Sequence, residues 1–290
     1  MSLTLHSALV TDLGLIRQNN EDSAFAGSRL LVIADGVGGA PAGEDASALV
    51  IRSLRELETA DLGGDPAATL LSRLQAANDD IRQAAVEDPA KDGMGTTVTA
   101  VLLADPGAEN SGAVGVLHVG DSRAYLLRDG RLQPLTRDDT YVQSLVDSGL
   151  LSPEDARYHP QRSIITQSVQ GMEFEAAQSL LPVRVTDRFL LCSDGLSDIV
   201  TDQSIERAMA SHAEPLQCAE QLVKLALQAG APDNVTVIIA DVVKVGTTPI
   251  APAVSTLVEP EPSATGGSPS KGAGGRKGPL AHVATWLGLA

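Results

Sequence analysis

Four aspartates recur in one setting, each where an apolar run meets a polar turn. Asp35 follows "LLVIA" and precedes Gly36, and Asp194 follows "RFLLCS" and precedes Gly195. Asp121 comes after the alternating residues Val114, Val116 and Val119, and Asp233 stands just before "NVTVIIADVV". A single Asp-Gly pair reads as an ordinary turn, and Asp129-Gly130 is read here as a plain hairpin turn. Recurrence at four separated positions carries more weight. If the strand after Asp233 runs antiparallel to the others, all four carboxylates share one edge of a sheet. Unpaired carboxylates in one place repel each other, so their convergence calls for cations. Hard oxygen ligands without His or Cys select Mg²⁺ or Mn²⁺ over zinc.

A fifth candidate lies near the start, in "TDLGLIRQNNEDSAF", where Arg17 precedes the acidic pair Glu21-Asp22. A guanidinium matches phosphate through two parallel hydrogen bonds. From this segment alone a salt-bridged surface arginine is equally good, and the four aspartates tip the balance toward phosphate. Cys192 has Asp198 rather than Arg six residues on, which argues against a cysteine-nucleophile phosphatase and leaves a buried strand residue. The glycine-rich "DGVGGAPAG" raises a nucleotide-binding alternative. Gly36 and Gly38 fit the first two glycines of a dinucleotide fingerprint, but Pro41 occupies the third, and Asp35 would repel pyrophosphate.

The elements that must position these residues follow from periodicity. "GTTVTAVLLA" and "VGVLHVGDSRAYLLRDGRLQPLT" read as strands. Ala46, Leu49, Val50, Leu54 and Leu57 keep helical spacing after the glycine-rich turn. A second helix starts at Asp65-Pro66 and repeats Leu70, Leu74, Ala77 and Ile81 on one face; a third covers roughly residues 216–228 and stops at Gly230. Residues 140–171 interrupt the strand pattern with two short capped helices and a polar stretch, read as a flap over a site or as an inert surface excursion. Antiparallel-compatible strands with helices in two blocks give an α+β layered fold.

Residues 1–243 form one domain on this pattern. Residues 244–280 are rich in Pro, Gly, Ser and Thr and read as a disordered linker. The apolar end, 281–290, is far shorter than a membrane span and reads as a docking peptide, an interfacial segment or the start of a span. With 43% hydrophobic residues but only 2% aromatics, the core must be built from Val, Leu, Ile and Ala. The net charge of −16 argues against nucleic acid or anionic lipid as a partner of the main domain, and requires any phosphate site to be locally positive. Two cysteines without disulfide or zinc spacing, and no signal peptide, point to the cytoplasm.

The ordered set "TDLGLIRQNNED", "VIADGVGG", "GTTVTAVLL", "HVGDSRAYLLRDG", "CSDGLSD" and "PDNVTVIIADV" resembles the PP2C family of metal-dependent serine/threonine protein phosphatases in its bacterial form, over nearly all of residues 5–243. The flap sequence "RDDTYVQSLVDSGLLSPEDARYHPQRSI" is similar to actinobacterial phosphatases paired with membrane-anchored serine/threonine kinases. The resemblance implies a central antiparallel β-sandwich flanked by helix pairs. It implies that Asp35 bridges two Mn²⁺ or Mg²⁺ ions, that the Gly36 carbonyl joins one of them, and that Asp194 and Asp233 hold the other. Glu21 and Asp22 match the acidic pair around metal-bound waters, Arg17 the phosphate clamp, and Asp121 a ligand of a third, looser ion with Ser163 as a partner. The implied reaction is attack of a metal-activated water on a phosphoserine or phosphothreonine, in opposition to serine/threonine kinases. A catalytically inactive phosphoprotein-binding domain of the same family is the rival reading, and a phosphatase dedicated to one stress-regulatory phosphoprotein is a narrower one. Some relatives carry His after the first Asp-Gly, proposed as a general acid, where this chain has Val37; His159 in the flap is the nearest substitute and reads as a surface residue. The expected partners are phosphorylated proteins, including kinases, with no nucleic acid. The expected state is a cytoplasmic monomer, placed at the inner face of the membrane if the tail tethers it there or the chain continues into a span.

Overall fold

The computed structural model describes residues 2–37, 42–245, 256–258 and 284–285. In chain order, β1 (Leu3–Asp12), β2 (Asp22–Ala26) and β3 (Leu30–Asp35) lead into α1 (Gly43–Leu54) and α2 (Pro66–Glu87). Next come β4 (Val98–Leu103), β5 (Ala113–Val119), β6 (Arg123–Arg128), β7 (Arg131–Pro134) and the flap helices α3 (Tyr141–Asp147) and α4 (Pro153–Ala156). The domain closes with β8 (Ala177–Pro182), β9 (Arg188–Cys192), α5 (Asp194–Ser197), α6 (Asp202–Ser211), α7 (Pro215–Gln228) and β10 (Val235–Lys244).

Every strand pairing is antiparallel, in two sheets. One has the order β1-β10-β9-β6-β7 and the other runs β2-β3-β4-β5-β8 from its inner strands outward. Uninterrupted apolar runs are what strands covered on both faces require. In β3, Leu31 and Ile33 pack between the sheets with Leu9, Val101, Phe189 and Ile238, while Leu30, Val32 and Ala34 pack under α1 and α2. On the far face of the first sheet, Leu190, Val237 and Ile239 meet Ile205, Leu222 and Ala226 of α6 and α7. The result is the expected sandwich flanked by helix pairs, with mainly aliphatic cores that each hold one buried aromatic, Phe25, Phe189 or Tyr125.

The helix starts are local and legible. Asp65 accepts from the Ala67 amide with Pro66 in the first turn, Thr140 accepts from the Gln143 amide, and Ser152 from the Asp155 amide. The strand β8 and the helix α6 were not anticipated from the sequence. No helix among the described residues is long and apolar enough to cross a membrane.

Two short strands extend the second sheet beyond β2. β11 (Thr256–Val258) pairs with β2, and β12 (Ala284–Thr285) pairs with β11. Thr256–Val258 are thus a strand inside the segment read as a disordered linker. The rest of 244–280 from residue 246 onward, the other residues of 281–290, and Gly38 and Pro41 lie outside the described residues.

Candidate functional site

The four aspartates sit at one end of the sandwich because of where their strands stop. Asp35 ends β3, and Asp121 follows β5 through Gly120; both strands belong to the second sheet. Asp194 follows β9, and Asp233 precedes β10, adjacent antiparallel strands of the first sheet. Asp35, Asp121, Asp194 and Asp233 line a single cavity of about 540 Å³, together with Arg17, Gly36, Val37 and Thr97. The flap supplies its other wall with Ser163, Ile165, Thr166 and Gln167. No histidine is among the described residues lining it.

Backbone and hydroxyl contacts fix the chain at Asp35 and beside Asp121. The Asp35 carbonyl accepts from the Thr97 amide at 2.8 Å and the Thr96 hydroxyl at 2.8 Å, and Thr97 Oγ1 meets Ser122 Oγ, just after Asp121, at 2.8 Å. Gly36 must be glycine because a Cβ there would stand 2.6 Å from the Gly43 carbonyl carbon, where α1 begins. Gly195 permits the same kind of approach: its Cβ would lie 2.0 Å from the Asn234 carbonyl oxygen, so Asp194 and Asp233 are brought together by backbone contact. Asp139 ties the flap to the turn before Asp121, accepting from the Gly120 amide at 2.9 Å while its carbonyl accepts from the Thr166 amide at 2.7 Å.

Glu21 and Asp22 do not line the cavity but stand behind it. Asp22 is fully buried opposite Asp35 in the β2–β3 ladder, and its Oδ2 accepts from Ser193 Oγ at 2.9 Å and Thr236 Oγ1 at 2.6 Å, bonds that join the two sheets. Its Oδ1 is buried without a partner. Arg17 donates to Asp233 Oδ2 at 2.7 Å and stands 3.7 Å from Glu21, so the residue expected to grip phosphate here neutralises a neighbouring carboxylate.

Asn234, to which the sequence reading gave no role, organises this corner. Only 3% exposed, it accepts from the Glu21 amide at 2.9 Å and donates to the carbonyls of Leu13 at 3.1 Å and Asn19 at 3.0 Å. The one local signal was a polar side chain opening an apolar strand.

The electrostatics are those of too many buried carboxylates. Burial, then the charges of Asp22, Asp194, Asp121 and Asp233, holds the Asp35 carboxyl well above the usual carboxylate range. Burial, then Asp121, Asp198 and Asp233, does the same to Asp194. Asp121 is pushed up to about 7 by burial and then by Asp138 and Asp198, and Asp22 to about 6 by burial in spite of its hydroxyl donors. Among the described residues no three His, Cys, Asp or Glu side chains stand close enough together to grip one ion as placed. The donor set lining the cavity, carboxylate and backbone oxygen without His or Cys, fits divalent Mg²⁺ or Mn²⁺.

The chain is similar to known proteins over most of its length. Residues 17–228 match the family model described as Protein phosphatase 2C. The serine/threonine protein phosphatase PstP of Mycobacterium tuberculosis is 49% identical over 243 residues, covering 84% of this chain; the chain spans about half the length of that relative, 46%. The serine/threonine phosphatase stp of Listeria monocytogenes is 33% identical over 248 residues, covering 82% of this chain and 96% of the relative. The crystal structure of the catalytic domain of PstP in complex with two manganese ions superposes with a TM-score of 0.77 at 46% identity, covering 84% of this chain and 100% of that one.

Proposed function

The chain belongs to the protein phosphatase 2C family, and on that premise we propose that it hydrolyses phosphoserine and phosphothreonine on proteins, using divalent metal held at the strand-end aspartates. The observation that carries this reading is the single cavity lined by Asp35, Asp121, Asp194, Asp233 and Arg17. Asp35, with the Gly36 carbonyl beside it, would bridge two ions, Asp194 and Asp233 would complete one of their shells, and Asp121 with Ser163 would hold a third. When bound, Mn²⁺ or Mg²⁺ supplies Lewis-acid charge and lowers the pKa of a coordinated water to near neutrality.

The chain's own residues do the rest. Arg17 exchanges its bond to Asp233 for the phosphoryl oxygens of the substrate, as Asp233 turns to cation binding. Glu21, within 3.7 Å of Arg17, keeps the guanidinium at the cavity mouth. Asp22 holds the ends of both sheets in register through Ser193 and Thr236. Ile165 and the polar flap residues Ser163, Thr166 and Gln167 form the opposite wall. Because the cavity opens at the surface, a phosphorylated side chain on a protein can enter it, consistent with a role opposing serine/threonine kinases in the cytoplasm. The same proposal has the protein acting as a monomer, its tail holding it near a membrane.

The test is Mn²⁺-dependent phosphate release from a phosphothreonine peptide. Asp35→Asn should abolish turnover, and Arg17→Ala should lower kcat/KM roughly tenfold to a hundredfold, the worth of one charge-assisted contact of about 1.5–3 kcal/mol. No turnover by the native chain with Mn²⁺ bound would leave a phosphoprotein-binding domain instead.

A further inference from the structure

The strand β2 is the inner edge of its sheet next to the tail, and all five of its residues are buried. Within β2, the Gly27 amide just beyond its end donates to Leu30 across the hairpin, so by strand alternation the Phe25 amide also points at β3 while the amides of Ala24 and Ala26 point the other way. Left uncovered, that row of donors and acceptors is an open edge that pairs with any available strand. β11 covers it, with Thr256 opposite Ala26, Leu257 opposite Phe25 and Val258 opposite Ala24.

The side chains of β11 have two separate seats. Leu257 packs against the core beneath α1 and α2, and Val258 packs against the core between the sheets. An alternating pair of branched apolar residues is therefore what this edge accepts, by main-chain pairing plus two pockets on opposite faces. Val245 donates to the carbonyl of Ser2, and Leu5 donates to the carbonyl of Ser28, so the end of β10 and the β2–β3 hairpin lie at the same end of the sandwich. β11 enters there opposite Ala26 and runs toward Asp22, at the catalytic end.

We propose that the outer edge of β2 is a strand-capture site occupied in cis by Thr256–Val258 of the chain's own tail. Capture is separable from the fold of the domain, because the sandwich cores close without β11 and only Leu257 and Val258 join them from outside.

The test is residue-resolved amide hydrogen exchange on the full chain, native against the double variant Leu257→Asp with Val258→Asp, and against the conservative Val258→Ile. In the native protein Ala24 and Ala26 should be protected. The double variant should lose that protection by roughly tenfold or more while Phe25, bonded into β3, keeps its own, and Val258→Ile should behave as native. Unchanged exchange at Ala24 and Ala26 in the double variant overturns the proposal. Loss at Phe25 as well overturns separability, and native protection that grows with protein concentration, with dimer by size exclusion, assigns the strand to a second copy instead of the chain's own tail.

Discussion

Replacing Asp121 with Asn should make the metal-free protein more stable at neutral pH, and the structure sets the size of the gain. Asp121 is 7% exposed, and burial with the charges of Asp138 and Asp198 raises its carboxyl from 3.8 to about 7. The folded protein therefore binds a proton that the unfolded chain releases, so this stability is complete below about pH 4 and is lost as pH rises through about 7. About three pH units at 1.36 kcal/mol each come to about 4 kcal/mol. Asp22, raised to about 6, adds about 3 kcal/mol of the same sign, lost between about pH 4 and 6. Urea unfolding in chelator at pH 5 and pH 7.5 reads the effect directly. The native protein should weaken between the two, and Asp121→Asn should weaken by about 3 kcal/mol less, because its side chain cannot ionise. Saturating Mn²⁺ should recover much of that loss at pH 7.5, since an ion binding only the folded state adds roughly 2.7 kcal/mol at a hundred times its dissociation constant. Equal stability of the metal-free native protein at both pH values, or the same pH slope in the variant, would refute the view that this end of the sandwich is strained by ionised carboxylates.

Other substitutions probe how the carboxylates are placed. Gly195→Ala puts a Cβ 2.0 Å from the Asn234 carbonyl oxygen and should weaken Mn²⁺ binding at least tenfold by calorimetry; native affinity would show that the Asp194 to Asp233 approach is not required. Asn234→Ala deletes three hydrogen bonds to the loop bearing Arg17 and Glu21, and should cost about 3 kcal/mol in urea unfolding together with at least tenfold in kcat/KM; native activity would place that loop outside the chemistry. Cys192→Ser should keep native turnover per folded molecule, and alkylating reagents should leave the native enzyme active, because burial pushes that thiol up to about 12; rapid inactivation would reinstate a cysteine nucleophile.

What the sequence revealed and what it hid divide along the range of the contacts. Asp35, Asp121 and Asp194 announce themselves because an apolar strand ends locally and a turn begins, and the antiparallel placement of β10 then brings Asp233 to the same edge. The helix starts at Asp65, Thr140 and Ser152 are equally local. By contrast α6 buries only Ile205, Ala208 and Met209, too short a stripe to stand out, and β8 is mostly exposed, held by its pairing with β5 far along the chain. Asn234 reaches Glu21 across 213 positions, and Arg17 reaches Asp233 across 216, so neither partner can be read from spacing. Asp22 likewise looked like half of an acidic pair; its lodging between Ser193 and Thr236 depends on how the two sheets stack.

The most direct measurement is anomalous diffraction from a crystal grown with Mn²⁺. Two peaks in the cavity, both contacting Asp35, with Asp194 and Asp233 completing one shell and Arg17 released from Asp233, are what the account predicts. Manganese absent from Asp35 in a crystal that binds it elsewhere, with Arg17 still paired to Asp233, would contradict it.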